Sequence, residues 1–241
     1  MSSNLRINGA ACLLAALCIG APAHAADTTL LTAADKGQLA SWLGEGPLAL
    51  TRIFEKTAGA TAADFHAAAD GKGRTFSVME ARNLAGQSWL VGGYNPQSWS
   101  SKGGFNMTLP EAERTAFIFN LTSGRKFTQL PDLAEGEDFG SFQTLNDAGF
   151  GPTFGAGFDL AVPGNLGTGG TSAILSYSAP DHSQNTFTSI LDGSAYQFTP
   201  NVSFGALEVY TISAVPEPAT WMMGLAGLGM LAMLRRRKGR R

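Results

Sequence analysis

The chain has 241 residues, with 17 basic and 19 acidic side chains, 44% hydrophobic residues, fifteen Phe and two Cys. The near-neutral total hides an asymmetry. Six basic residues crowd the last seven positions, while ten Lys/Arg face nineteen Asp/Glu between Ala26 and Pro218, a net charge of −9. An acidic body of one-domain length argues against nucleic acid and anionic lipid as partners, and its aromatic content with low charge density argues against disorder.

The amino end reads as an export signal over residues 1–25. Arg6 supplies the positive region, residues 10–20 are apolar, and Ala21-Pro22-Ala23-His24-Ala25 places Ala23 and Ala25 where signal peptidase reads small side chains. Cys12 and Cys18 both fall inside this segment, and Leu17 before Cys18 argues against lipidation. The mature chain then has no disulfide, no thiolate nucleophile and no Cys-ligated metal.

Residues 33–43 read as a helix with Leu39, Trp42 and Leu43 on one face, stopped by Gly44-Glu45-Gly46-Pro47. Residues 48–54 alternate as a strand. Thr61 offers an N-cap for a short Ala-rich helix over 62–69, closed by Asp70-Gly71, with Phe65 as core anchor and His66 as a solvated neighbour. From Arg74 the period becomes two. Strands are expected over 75–80 and 88–94, joined as an antiparallel hairpin, and Gly92-Gly93 inside the second marks close approach or a bulge. Trp99 lies in a Ser/Gly-rich loop running to Gly104. There an aromatic serves either as a ligand platform or as the cap of a core edge.

Residues 114–121 form the next expected strand, with Ala116, Ile118 and Asn120 opposite Phe117, Phe119 and Leu121, and residues 125–130 follow after Ser123-Gly124. Asp132, Glu135, Glu137 and Asp138 make an acidic loop. Its spacing does not suit the converging oxygens of a calcium site, so a solvated loop is expected. Residues 149–160 alternate glycine with phenylalanine, which requires close backbone passage or positive φ pinned by large anchors. Gly155-Ala156-Gly157 lacks the third glycine and following helix of a dinucleotide loop. Residues 161–170 read as a loop, 171–178 as a strand, and 179–184 as a loop holding His182. The final strand, 204–212, sets Leu207, Val209 and Thr211 opposite Ala206, Glu208, Tyr210 and Ile212.

Four segments in order give the body a resemblance to the TLD (TLDc) domain. Gly151-Pro152-Thr153-Phe154-Gly155-Ala156-Gly157-Phe158-Asp159-Leu160 resembles that family's Gly-Pro-Thr-Phe-Gly-Gly-Gly-His-Asp-Leu. Leu90-Val91-Gly92-Gly93-Tyr94 with Trp99, Phe117-Ile118-Phe119-Asn120-Leu121, and Ala206-Leu207-Glu208-Val209-Tyr210 resemble three further segments. Ala156 and Phe158 depart from the pattern, so no role of the family's histidine transfers. The resemblance implies two antiparallel sheets with flanking helices. The strand alternation independently supports an all-β fold leaning to α+β, a two-sheet antiparallel β-sandwich with short flanking helices. The motif residues carried over are Gly151, Phe154, Gly155, Gly157, Asp159 and Glu208, the two acids being expected to orient backbone amides or hold buried hydrogen bonds.

Only His66 and His182 remain in the mature chain, and no Gly-x-Ser-x-Gly elbow is present. No metal or cofactor set is expected, and no catalytic residue is assigned. A carboxylate pair, Asp159 with Glu208, is the one hydrolase candidate.

The carboxyl end has three parts. Val215-Pro216-Glu217-Pro218-Ala219-Thr220 holds an extended backbone, since Pro216 and Pro218 block helix and central strand. An apolar helix is expected over 219–234, roughly 24 Å at ~1.5 Å per residue against a hydrocarbon core of about 30 Å. Arg235, Arg236, Arg237, Lys238, Arg240 and Arg241 then anchor it in the cytoplasm. This order resembles the PEP-CTERM sorting signal of bacterial envelope proteins. The resemblance implies a temporary membrane anchor processed by an exosortase, and an association with exopolysaccharide or biofilm.

The organisation expected is a signal peptide (1–25), a helical lead-in (26–47), a TLD-like domain (48–213) and a sorting signal (215–241). The function expected is that of an exported envelope or extracellular-matrix protein, not an enzyme, meeting signal peptidase and an exosortase and then exopolysaccharide or an envelope protein. Protection against oxidants and glycan hydrolysis through Asp159 and Glu208 are the alternatives.

Overall fold

The computed structural model describes residues 29–132, 138–179 and 187–214. The signal peptide, His182 and the whole carboxyl tail, including the expected membrane helix, lie outside the described residues. Among those described, no helix is long and apolar enough to cross a membrane.

Both expected helices form with the bounds the sequence suggests. In α1 (Ala33–Leu43), Thr32 accepts from the Asp35 amide while the Asp35 carboxylate takes the Thr32 N–H, and Gly44 ends the helix at φ 77°. In α2 (Ala62–Ala69), Asp64 accepts the Thr61 N–H at 2.8 Å and its hydroxyl at 3.0 Å.

Among the described residues, twelve strands build two antiparallel sheets. In chain order they are β1 (Leu48–Glu55), β2 (Thr75–Asn83), β3 (Ser88–Asn95), β4 (Lys102–Met107), β5 (Phe117–Asn120), β6 (Arg125–Gln129), β7 (Phe142–Asp147), β8 (Phe150–Phe154), β9 (Leu160–Pro163), β10 (Thr168–Gly170), β11 (Tyr177–Ser178) and β12 (Val202–Ala214). The larger sheet runs β1-β12-β2-β3-β5-β6-β11, with β10 also on β12; the smaller runs β4-β7-β8-β9. The last described strand therefore sits between β1 and β2, one place in from the sheet's β1 edge. The domain cannot close until its carboxyl end is in place.

The larger sheet is buried on both faces. One face (Met79, Ala81, Val91, Ile118, Leu207, Val209) packs on Phe154, Leu160 and Val162 of the smaller sheet and on Phe65 of α2. The other (Phe76, Val78, Tyr94, Phe117, Phe119, Tyr210, Ile212) packs on Leu31 and Leu39, with Trp42 and Leu43 of α1 against it. This explains why the central strands alternate between two apolar sets instead of apolar and polar ones. Gly92 and Gly93 make the arrangement possible. A Cβ on Gly92 would meet the Ser77 carbonyl at 2.1 Å, and one on Gly93 would lie 2.5 Å from the Phe154 ring. The expected close approach is real, with one face per glycine.

Several expectations need correction. The loop to Gly104 gives way to strand β4 at Lys102. The strand expected from Arg114 begins at Phe117, because Glu111–Glu113 form a 3-10 turn before it. Strand β7 was not foreseen: it buries Gln143, Thr144 and Asn146, so it lacks apolar alternation. The Gly/Phe segment is itself strand β8, a turn and the start of β9. The expected strand over 171–178 shrinks to Tyr177–Ser178, because the backbone N–H groups just before and within it turn to a carboxylate.

Candidate functional site

The Gly/Phe motif forms a buried knot around Asp159. Gly155, at φ 78°, turns the chain out of β8, and a side chain there would strike the Asp159 carboxylate at 1.9 Å. One carboxylate oxygen of Asp159 accepts three backbone N–H groups in a row, from Leu175 at 2.7 Å, Ser176 at 2.8 Å and Tyr177 at 2.9 Å. The other has no partner among the described residues. Burial pushes the Asp159 carboxyl up to about 7, against the three N–H bonds that favour its ionised form. Gly157 lies against Leu175, where a Cβ would come within 2.4 Å. The Tyr177 hydroxyl donates to the Gln143 carbonyl at 2.7 Å, tying the knot to the smaller sheet. Gly151 is close-packed against Leu166 and Val162, and Phe154 is fully buried. Every member of the motif thus has a packing or hydrogen-bonding task.

Glu208 does similar work on the other face. Its carboxylate pairs with Arg52 at 2.7 Å and accepts the Leu30 N–H at 2.8 Å and the Tyr210 hydroxyl. Burial and the Glu208 bond raise the Tyr210 phenol well above its usual range. These bonds fasten the segment before α1 to strands β1 and β12 of the larger sheet. Glu208 shares its face with Tyr210 and Ile212, whereas the Asp159 knot joins the core between the sheets through Leu160 and Tyr177. The two acids have no common partner and lie on opposite sides of the sheet. The structure does not assemble them into the paired carboxylates of a glycosidase.

Trp99 is corrected as a ligand contact. It is 1% exposed, donates its indole N–H to Thr75 at 2.9 Å, and meets Phe65 and Phe154 edge-on at 5.3 and 5.5 Å. Of its two sequence roles, core packing is the one observed. His66 is corrected too, being buried and not solvated. Its Nδ1 faces Asp70 at 2.7 Å, and its Nε2 faces the carbonyls of Asp147 and Phe150 at 3.0 and 3.1 Å. The available signal was the helical stripe Ala62, Phe65, His66, Ala69, whose i, i+3, i+4, i+7 spacing puts the imidazole on the inner face.

The acidic loop also has a partner that sequence spacing did not show. Asp132 and Asp138 each accept from the Arg114 guanidinium at 2.6 Å, and Arg114 further donates to the carbonyls of Thr108, Leu109 and Leu130. Glu135 and Glu137 lie outside the described residues. Among the described residues, no three His, Cys, Asp or Glu side chains come together as a metal cage.

The comparisons bear on the carboxyl end. Residues 214–238 match the PEP-CTERM protein-sorting motif. That match spans the Pro-Glu-Pro element, the apolar run and the first basic residues, and begins at Ala214, where β12 ends. A search of curated proteins found no match to the chain. The motif marks an exported protein that an exosortase processes and that is sorted to the cell surface.

Proposed function

We propose that this chain is a non-catalytic envelope or extracellular-matrix protein, whose TLD-like body is a binding module presented outside the cell and linked to exopolysaccharide and biofilm. The observation that carries the reading is the sorting motif placed directly after the closing strand of an acidic, cysteine-free body. An exosortase acts on the tail, signal peptidase removes residues 1–25, and the domain between them remains. The four TLD-like segments, found in family order, support the domain reading. The acids among them serve as structural ties: Asp159 and Glu208 are enclosed by backbone and side-chain donors, with no open face for a substrate.

The test is genetic and biochemical. In a strain lacking the chain, the extracellular matrix or cell aggregation is expected to fall, with recovery when the wild-type chain is restored. Recovery by Glu208→Gln in a folded protein is also expected, because no catalytic step is assigned to that residue. An unchanged matrix in the deletion strain rejects the matrix role. Sugar release by the purified protein that Glu208→Gln abolishes rejects the non-catalytic one.

A further inference from the structure

The end of the larger sheet farthest from Ala214 carries a groove that the reading above leaves unused. It is lined by Asn83, Leu84, Asp192, Ser194, Gln197 and Thr199 among others, and encloses about 310 Å³. Among the described residues, no basic side chain lines it. Asn83 donates to Asp192 at 2.8 Å, setting an amide and a carboxylate side by side at its wall. Leu84 stands 82% exposed at its rim.

Three aromatic rings cluster beside it. Phe198 lies 5.4 Å from Tyr196 and 6.5 Å from Phe187, and its side chain is 80% exposed. Along the 195–201 segment the odd positions 195, 197, 199 and 201 line the groove, while Tyr196 and Phe198 fall between them and form the aromatic cluster. Phe187 and Phe198 both hold positive φ, 46° and 58°, a conformation that costs an L-aromatic residue strain. Holding a large apolar ring out in water on a strained backbone brings no folding benefit that would offset that cost.

We propose that this pole binds a neutral polysaccharide chain, one sugar ring in the groove and the next over the Phe198 ridge. A pyranose presents hydroxyls on its edge and polarised C–H groups on its face. The edge suits the Asp192 carboxylate, which Asn83 holds in place and which accepts from hydroxyls, and the Gln197 amide, which both donates and accepts. The C–H face suits the electron-rich face of an aromatic ring. The volume is at the small end for a ligand site, enough for one unit of a longer chain. The absence of a cation in the groove and the −9 charge of the body select against anionic sugars.

Placement on the molecule agrees. Strand β12 begins at Val202, opposite Asn83, and ends at Ala214, opposite Leu48. Its 13 residues span roughly 40 Å at ~3.3 Å each. The chain leaves for the sorting motif at Ala214, so the groove lies at the pole turned away from that attachment end. This proposal rests on the matrix reading and names the ligand class and the surface that serve it.

The experiment uses the processed protein purified from its native cells, titrated with cellohexaose, chitohexaose, a β-1,3-glucan hexamer and dextran, with dextran sulfate as the anionic control. Saturable binding to at least one neutral probe is expected. Phe198→Ala and Gln197→Ala, both at exposed positions, should each weaken it about tenfold with unchanged thermal midpoints. No saturation by any neutral probe, equal binding by both variants, or binding to dextran sulfate alone overturns the proposal. So does a dimer that Phe198→Ala disperses, which gives the ridge to a second copy of the chain. Matrix retention separates the two levels of inference. Wild-type protein retained in the matrix, with Phe198→Ala and Gln197→Ala retained equally, rejects the groove and leaves the matrix role standing. Wild-type protein absent from the matrix rejects that role, whatever the titration shows.

Discussion

Asp159 sets the most testable property at the scale of single residues. An unfolded Asp titrates near 3.8, and burial raises the native group to about 7. Between these values the native state holds a proton that the unfolded chain has lost, so stability falls as pH rises from about 4 to about 7 and is level above that. Asp64, lowered by the Thr61 amide, and Asp132, lowered by Arg114, act in the opposite sense and only in more acidic solution. The processed protein is expected to melt at a higher temperature at pH 5 than at pH 7.5, with Asp159→Asn flattening that slope. A slope equal to wild type in the variant rejects the assignment. Glu208 gives a different signature. Glu208→Ala leaves the Leu30 amide, Arg52 and the Tyr210 hydroxyl without their shared acceptor. A loss of about 2 kcal/mol by urea denaturation is expected, together with faster proteolysis near Leu30 and Leu31. Unchanged protease resistance there means the amino-terminal segment is held by its apolar contacts alone.

Among the elements, β3 is governed by its two glycines. Gly93→Ala pushes a methyl into the Phe154 ring, 2.5 Å from its ideal Cβ. Overpacking of this kind costs about 1–3 kcal/mol. Shortening the opposing ring relieves it, so Phe154→Leu combined with Gly93→Ala should be more stable than the sum of the two single losses by about 1 kcal/mol. Strictly additive losses place the strain elsewhere. Helix α2 is legible in a different way. Its cap and stop are written in Thr61, Asp64 and Gly71, and its inner stripe includes His66. What the stripe cannot show is the neighbour. The carbonyls of Asp147 and Phe150 that face Nε2 come from the facing ends of β7 and β8, more than eighty residues away.

For the whole molecule, the two ends flank a domain closed by its own last strand. β12 pairs with β1, β2 and β10, so processing at the carboxyl side has to spare residues through Ala214. Intact mass of the protein recovered outside the cell is expected to lack residues 1–25 and the segment after the Pro-Glu-Pro motif. A mass that retains Arg241 rejects processing, and one that ends before Ala214 contradicts a folded product.

The sequence alone determines the local and the linear. Both helices, the hairpin, the facing of Ala116 and Ile118 against Phe117 and Phe119, and the PEP-CTERM motif depend on capping, period two and residue order, all written within a few positions of each other. Tertiary structure decides what depends on partners distant in the chain. Polar strand β7 has no apolar pattern and exists because its neighbours pair with it. Trp99 and His66 carry the residue types of a site, yet elements far along the chain enclose them. Asp159 and Glu208 stand 49 positions apart in the sequence, and only the sheet between them puts them on opposite faces. The Asn83–Asp192 groove has no motif at all, because it is made where a hairpin turn meets a loop more than a hundred residues later. Burial and convergence are properties of the folded chain, and a pattern confined to neighbours in sequence does not encode which distant backbone will arrive beside it.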